Sequence, residues 1–147
     1  MPGRFQFSLE QVLVYRIQLE EQAILALSRA QHAYQSQADV VNGLRTTLEE
    51  HEEGLHDADD FSAGEMYLWR VYKDRLVQDI RRAEQHMLEL AKELNRRRRE
   101  AVVKSRERKL LEKLKQKQAI RHAQEESSQE QKGFDEMATV RYRPPAF

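Results

Sequence analysis

The 147-residue sequence contains no cysteine, and this absence excludes several kinds of site at once. Disulfide bonds, thiolate metal sites and a cysteine nucleophile all require a side chain that the protein does not have. A chain without disulfides is typical of a reducing compartment, so we expect a cytoplasmic protein.

Long apolar runs are missing as well. The longest run is Ala23–Leu27, and the start of the chain includes the charged side chains of Arg4 and Glu10. A transmembrane helix needs about 20 predominantly apolar residues, and the apolar part of a signal peptide needs about seven or more. We therefore expect neither a membrane span nor a signal peptide.

Helix-breaking residues are scarce, with three prolines and five glycines, while 34% of the residues are charged. The chain is rich in Leu, Ala, Glu, Gln, Lys and Arg, which all favour helices. The glycines are isolated from one another, so the sequence has no glycine-rich loop of the kind that holds phosphates. The composition predicts an all-α protein.

Two helix starts are indicated by capping-box spacing, in which a serine precedes a glutamine or glutamate by three residues. Ser8 precedes Gln11 in this way, and Ser62 precedes Glu65. One helix should therefore begin near Ser8 and a second near Ser62.

These starts divide a single coiled-coil domain, residues 1–147, into four segments. We predict helix 1 at about 8–54, a turn at about 55–62, helix 2 at about 63–131 and a frayed tail at about 133–147. The tail is assigned because Pro144 and Pro145 cannot continue a helix. A turn this short places the two helices side by side and antiparallel.

Both helices carry apolar residues at alternating spacings of three and four, the pattern of a coiled coil. In helix 2 these positions are Trp69, Tyr72, Leu76, Ile80, Ala83, Met87, Leu90, Leu94 and Ala101. The pattern weakens where Arg97 and Lys104 take apolar positions, so pairing should be best near the turn.

Charge also favours pairing of the two helices. Residues 1–64 contain 4 Lys+Arg and 11 Asp+Glu, whereas residues 65–147 contain 21 and 14, which gives net charges of −7 and +7. Opposite charges favour contact between different helices over contact between identical ones. The sequence therefore predicts two long helices that form an antiparallel coiled-coil hairpin.

The second helix should be the longer one and should overhang the hairpin. Helix 1 is long enough to pair with helix 2 only as far as about Leu110. Roughly 20 residues of helix 2, on the order of 30 Å, lie beyond that point. This overhang contains Leu110, Leu111, Leu114 and Ile120. We expect a partner protein to cover these apolar side chains.

Metal-binding and catalytic sites are not expected. None of the five histidines lies four residues from another, the spacing that puts two ligands on one helical face. A two-helix hairpin also lacks the concave site that shifts the pKa of a catalytic carboxylate. We therefore expect a non-enzymatic protein with no catalytic residue, metal, cofactor or small-molecule ligand.

A basic stretch at residues 92–121 contains 13 Lys+Arg against 4 Glu. Such a density could neutralise nucleic-acid phosphates, bind an acidic protein partner, or form a solvated helix face. The basic residues surround the helix and no aromatic residue is available there for base stacking, so we do not expect nucleic acid as the partner. The other two interpretations stay open.

Three aromatic residues, Tyr67, Trp69 and Tyr72, follow the predicted turn. Their side chains could close the end of the coiled coil, or they could anchor another protein. The sequence alone leaves both interpretations open.

Two residue patterns, one near each end of the sequence, are informative together. The first consists of Phe5-Gln6-Phe7, Leu9, Val12-Leu13, Tyr15-Arg16 and Glu20, and the second of Arg108–Leu114 followed by Asp135-Glu136 and Ala138. At this distance in a chain of this length, the patterns resemble those of the flagellar export protein FliJ family. The likeness runs the length of the chain.

This resemblance implies a component of the bacterial flagellar type III protein export apparatus, and hence of motility. Such a protein is a small coiled coil similar to the stalk subunit of rotary ATPases. Its expected partners are the hexameric flagellar export ATPase, the export gate membrane protein and the export chaperones, which it helps to recycle. Its expected location is cytoplasmic, peripherally at the cytoplasmic face of the inner membrane at the flagellar base.

The resemblance also implies binding residues. ATPase binding would fall on Phe7, Leu110, Leu111 and Leu114, and export-gate binding on Leu44, Leu48, Tyr72, Leu76, Ala83 and His86. The sequence departs from the family pattern in one place, because the family tends to carry an aromatic residue one turn after the tyrosine, where Arg75 and Leu76 stand here.

Three alternatives remain. A stalk protein of a virulence type III secretion system would have the same features. A nucleic-acid-binding basic helix would lose affinity steeply with salt. A generic structural coiled coil would self-associate and would affect no ATPase.

Overall fold

The protein, seen in a computed structural model that describes residues 3–57 and 60–142, consists of two α-helices. Helix α1 is Glu10–Asp57 and helix α2 is Ala63–Arg141, and the described residues contain no β-strand. The two helices pack against each other as an antiparallel hairpin, and α2 is the longer by 79 residues to 48. The predicted fold class is confirmed.

Helix α1 begins one residue later than its capping box indicates. The Glu10 N–H donates to the Phe7 carbonyl oxygen at 3.1 Å, and the Leu13 N–H donates to the Leu9 carbonyl oxygen at 2.9 Å. The side chain of Phe7 is buried, so the chain turns at residues 7–9 to place it before the helix starts. Leu9 rather than Ser8 therefore occupies the cap position of α1, and the buried Phe7 lies just before it.

Helix α2 begins where it was predicted. The Ser62 Oγ accepts the Glu65 N–H at 3.2 Å, and the Ser62 carbonyl oxygen accepts the Met66 N–H at 3.0 Å. Ser62 therefore satisfies two amides at the start of α2. The first amides of a helix have no acceptor within the helix, so the residue before it must supply one.

The end of α2 differs from the predicted one, because the helix continues past Gln131 to Arg141. Gly133 costs about 1 kcal/mol relative to alanine in a helix, and the helix formers that follow it can offset that cost. Residues 133–141 are therefore helical rather than frayed. The Pro144-Pro145 pair that suggested a tail lies outside the described residues.

Tertiary packing divides the chain into two units. We call Glu21–Val102 the turn unit, and Met1–Glu20 with Val103–Phe147 the terminal unit. Both helices contribute to each unit, so each contains a paired section of α1 and α2.

The turn unit has an apolar seam. Its buried side chains are Val41 of α1 and Leu76, Ile80, Ala83, Leu94 and Ala101 of α2. The Gln37 Nε2 donates to the Ala83 carbonyl oxygen at 3.0 Å, and Glu52 pairs with Lys73 at 3.2 Å. As the residue number in α1 rises, the number of the residue that it contacts in α2 falls, as expected for antiparallel helices.

The terminal unit has fewer buried side chains, and among its described residues they are Phe7 and Leu13. The rings of Phe5 and His122 lie 5.6 Å apart, so the segment before α1 also contacts α2. Pairing in this unit therefore reaches His122, twelve residues beyond the predicted limit at Leu110. The physical reasons are that α1 ends at Asp57 rather than near residue 54 and that residues 3–9 add to its length as a partner.

Candidate partner-binding surfaces

The described parts of the chain, residues 3–57 and 60–142, contain no group of three or more His, Asp and Glu residues that could hold a metal ion. Within the same residues, no helix is both long enough and apolar enough to cross a membrane.

Ion pairs between the helices hold the terminal unit together. The Arg16 Nη1 lies 2.7 Å from the Glu107 Oε2, and the Lys115 Nζ lies 2.8 Å from the Glu10 Oε2. Pairs of this kind contribute little when fully exposed, and they are screened by salt. The pairing of this unit is thus more sensitive to ionic conditions than an apolar seam is.

Arg108 forms the most enclosed of these pairs. Its Nε lies 2.7 Å from the Glu20 Oε2 across the helices, and its Nη1 lies 2.6 Å from the Glu112 Oε2 one turn along α2. The side chain of Glu20 is 13% exposed. The hydrogen bond to Glu20, followed by the one to Glu112, raises the pKa of Arg108, so the guanidinium stays charged at every relevant pH.

The four predicted ATPase-binding residues lie in different environments within the terminal unit. Leu110 is 68% exposed and Leu114 is 37% exposed, so both can contact a partner. Leu111 is half-buried, and Phe7 is 7% exposed. The expectation that all three leucines lack a partner within the chain therefore fails for Leu111, because pairing continues past it to His122.

The part of α2 after His122 is a bare helix, of which the sequence predicted the overhang to about residue 131 but not the stretch from Gly133 to Arg141. Of its described residues 123–142, only Glu126 and Gly133 are half-buried and the others are exposed. Phe134, Met137 and Val140 expose large apolar side chains at successive spacings of three. Helical periodicity after Gly133 is the signal that could have revealed this surface.

The six predicted gate-binding residues divide between the seam and the surface of the turn unit. Leu76 and Ala83 are buried, and Leu44 and Leu48 are half-buried. Tyr72 is 46% exposed, and His86 is exposed as well. The structure therefore leaves Tyr72 and His86 as the members of this set that a partner can reach directly.

The aromatic residues after the turn have separate roles. The Trp69 Nε1 donates to the His51 carbonyl oxygen at 3.1 Å, and the His51 Nε2 donates to the Trp69 carbonyl oxygen at 3.0 Å. The two rings are stacked with centroids 4.7 Å apart, and Tyr72 packs edge-on against His51 at the same distance. These contacts close this end of the coiled coil, whereas Tyr67 is 67% exposed and belongs to the surface.

Part of the basic stretch is neutralised by its own helix. Arg96 and Arg97 both pair with Glu93, at 2.8 and 2.9 Å, and both also contact Glu100. The hydrogen bond from Arg96 is the largest cause of a lowered pKa at Glu93. These two arginines of the 96–99 run therefore belong to a solvated, internally paired face.

The chain is similar to a known protein family. The family model described as "Flagellar FliJ protein" matches residues 5–146, which is nearly the full chain. The chain belongs to the FliJ family. No curated protein and no solved structure matches it. Membership confirms the resemblance drawn from the two end patterns and assigns the chain a role related to flagellar protein export.

Proposed function

We propose that this FliJ-family chain is a non-enzymatic, stalk-like component of the flagellar type III export apparatus. Its terminal unit binds the ring of the export ATPase, and its turn unit binds the export gate. The family match over residues 5–146 is the observation that carries this proposal, since the matched length includes both units.

Binding to the ATPase is supported by the apolar surface of the terminal unit. Leu110 and Leu114 lie four residues apart on one side of α2, and both are exposed. Exposed apolar groups on the outer face of a helix are the kind of anchor that a groove in another protein accepts. The bare end of α2, with Phe134 and Met137, extends this surface.

Phe7 has a different role in this proposal. Its side chain is already buried within the terminal unit, so it fixes the position of the segment before α1. It therefore supports the ATPase-binding end and does not itself contact the ring.

The experiment is the rate of ATP hydrolysis by the cognate export ATPase at increasing ratios of this protein. We expect stimulation that saturates near one chain per ATPase hexamer. The double variant L110A/L114A should need at least about thirtyfold more protein for half-maximal stimulation, because anchor residues contribute about 1 kcal/mol or more each. Circular dichroism should stay unchanged, because both side chains are exposed.

The matched control is L25A/L88A, which removes two leucines that are 52% and 59% exposed in the turn unit. This variant should stimulate the ATPase as the unaltered protein does. If both double variants behave alike, or if the unaltered protein has no effect on the ATPase, the proposed binding surface is wrong.

For the export gate, we propose that Tyr72 and His86, the exposed members of the predicted set, make the contact. Replacing Tyr72 or His86 with alanine should weaken binding to the soluble part of the gate protein with little loss of helicity. Replacing Leu76 should instead lower stability, because this side chain is buried in the seam. Gate affinity that is unaffected by both surface substitutions would contradict this assignment.

Recycling of export chaperones and a peripheral location at the inner membrane complete the proposed function. Both require that a partner can be held while the hairpin is engaged elsewhere. Two separate binding surfaces, one in each unit, meet that requirement. Co-purification of an export chaperone with the unaltered protein, and its loss with one set of surface variants, would locate the chaperone surface.

A further inference from the structure

A stripe of basic residues runs along α2 in the terminal unit and takes no part in the contacts described so far. Arg106, Lys109, Lys113 and Lys117 follow one another at spacings of three, four and four residues, so they lie on one face of the helix. All four side chains are exposed. We call these residues the basic stripe.

The basic stripe is not neutralised by the protein. Arg108 and Lys115, which are its neighbours in sequence, each pair with a glutamate of α1. In contrast, none of the four stripe residues has a carboxylate within 4.0 Å among the residues that the structure describes. Four uncompensated positive charges therefore lie along about three turns of helix.

The stripe lies on the side of α2 opposite to α1. The residues that contact α1, Arg108, Lys115 and His122, are spaced by seven, so they form the inner edge of the helix. At 100° per residue, the stripe is turned by about half a revolution from this edge. The stripe is thus free to meet a partner along its whole length without opening the hairpin.

Two apolar side chains are part of the same face. Leu110 is four residues after Arg106, and Ile120 is three residues after Lys117. They are 68% and 60% exposed. The face therefore presents positive charge with an apolar side chain near each end.

The chemistry of this face suits a lipid surface. Three of its four charges are lysines, whose compact ammonium groups act as point charges and do not need the fixed bidentate geometry that arginine makes with a protein carboxylate. Anionic headgroups attract clusters of Lys and Arg on a helix surface, and exposed leucine and isoleucine side chains can enter the headgroup boundary.

From this arrangement we infer that the basic stripe is a binding site for the headgroups of anionic phospholipids, with Leu110 and Ile120 inserting between them. The four charges of the stripe are not part of the ATPase or gate contacts proposed above, but Leu110 is shared with the proposed ATPase contact. It gives the terminal unit a direct attachment to the membrane surface that needs no membrane protein.

The test is sedimentation of the full chain with vesicles of phosphatidylcholine, either alone or mixed in equal parts with phosphatidylglycerol. We expect binding only to the mixed vesicles, and we expect it to weaken as salt rises because the charges are exposed. The triple variant K109E/K113E/K117E should bind at least about a hundredfold more weakly, since each lost cation near an anionic surface reduces affinity about fivefold and the new carboxylates are repelled in addition.

The matched control is R70E/R81E/R82E, which makes the same change in net charge with three exposed arginines of α2 in the turn unit. This control should retain binding to within a few fold. Equal loss in both triple variants would mean that only net charge matters and would overturn the proposal. Retained binding in the stripe variant would overturn it as well. Circular dichroism of both variants checks that they are folded.

Two further outcomes separate this proposal from its rivals. A wild-type chain that ignores anionic vesicles but binds an RNA or DNA duplex through the stripe would replace the lipid with nucleic acid and overturn the proposal. Stimulation of the ATPase is measured without lipid, so a failure of vesicle binding leaves the proposed function standing, and a failure of stimulation leaves the lipid site standing. The variant L110A/I120A should reduce vesicle binding without abolishing its salt dependence.

Discussion

The turn unit and the terminal unit are built from the same two helices, yet different forces hold them. In the turn unit six buried apolar side chains form the seam, whereas the described part of the terminal unit has two. The terminal unit instead relies on ion pairs such as Arg108–Glu20 and on the Phe5–His122 contact. Stability is thus concentrated near the turn, and unpaired surface is concentrated near the termini.

The difference originates in the sequence of α2. Apolar seam positions such as Leu76, Ile80 and Leu94 are followed further along the helix by Lys104 and Arg108. A charged side chain cannot be buried without a partner, so the seam becomes half-exposed and polar where these residues take over. Regions with few buried apolar contacts open at a lower free-energy cost than the core. A protein that must engage a partner at one end benefits from this division.

The largest effect is expected from breaking the apolar seam of the turn unit. Leu76→Ala should reduce the free energy of unfolding by about 2–4 kcal/mol, because it removes a buried side chain and leaves a cavity. Urea denaturation followed by circular dichroism measures this loss. Leu88→Ala, at a side chain that is 59% exposed, is the control and should change stability by less than about 0.5 kcal/mol. Similar losses in the free energy of unfolding in both variants would contradict the assignment of Leu76 to the seam and Leu88 to the surface.

A smaller effect is expected from breaking the ion pairs of the terminal unit. Arg108→Gln leaves Glu20 without its partner, so amide hydrogen exchange should speed up in residues 10–20 and stay unchanged in residues 37–52. The control is Arg121→Gln, whose only ion pair in the described residues is an exposed one with Glu125 on the same helix. Faster exchange throughout the chain would mean that the two units open together.

The smallest effect is expected from glycines within the helices. A Cβ atom added at Gly43 or at Gly133 would meet no other atom within 4 Å, so alanine fits at either site. Gly43→Ala should raise the free energy of unfolding by about 0.5–1 kcal/mol, as expected for glycine in a helix interior. Gly133→Ala should slow exchange in the bare end of α2 and leave the unfolding midpoint of the turn unit unchanged. If Gly133→Ala shifts that midpoint, the bare end of α2 and the seam unfold together, which contradicts the prediction.

Much of the fold could be predicted from the sequence, because the apolar spacing and the Ser62 cap are local signals that tertiary structure did not override. All five buried α2 residues occupy positions that the spacing selects. The start of α1 is one residue later than its local signal predicts, and the buried side chain of Phe7 lies just before it. The end of α2 was predicted too early because the Pro144-Pro145 pair was taken to fray the whole segment after Gly133, whereas the helix continues to Arg141.

The candidate sites were less predictable than the fold. Family resemblance pointed to Leu76 and Ala83 as contact residues, but burial depends on the register between the helices, and that register is fixed by the length of α1 and of the turn. The same register moves the pairing limit from Leu110 to His122. The exposed face of Phe134, Met137 and Val140 was missed because the segment had been assigned to a tail.

In our proposal, the terminal unit is the part of this FliJ-family chain that binds the export ATPase. The most direct test is amide hydrogen exchange of the full chain, free and with an excess of the cognate export ATPase. The account predicts added protection in α2 at residues 103–141, with little change in α1 at residues 37–52. Added protection confined to the turn unit, or none in either unit, would contradict it.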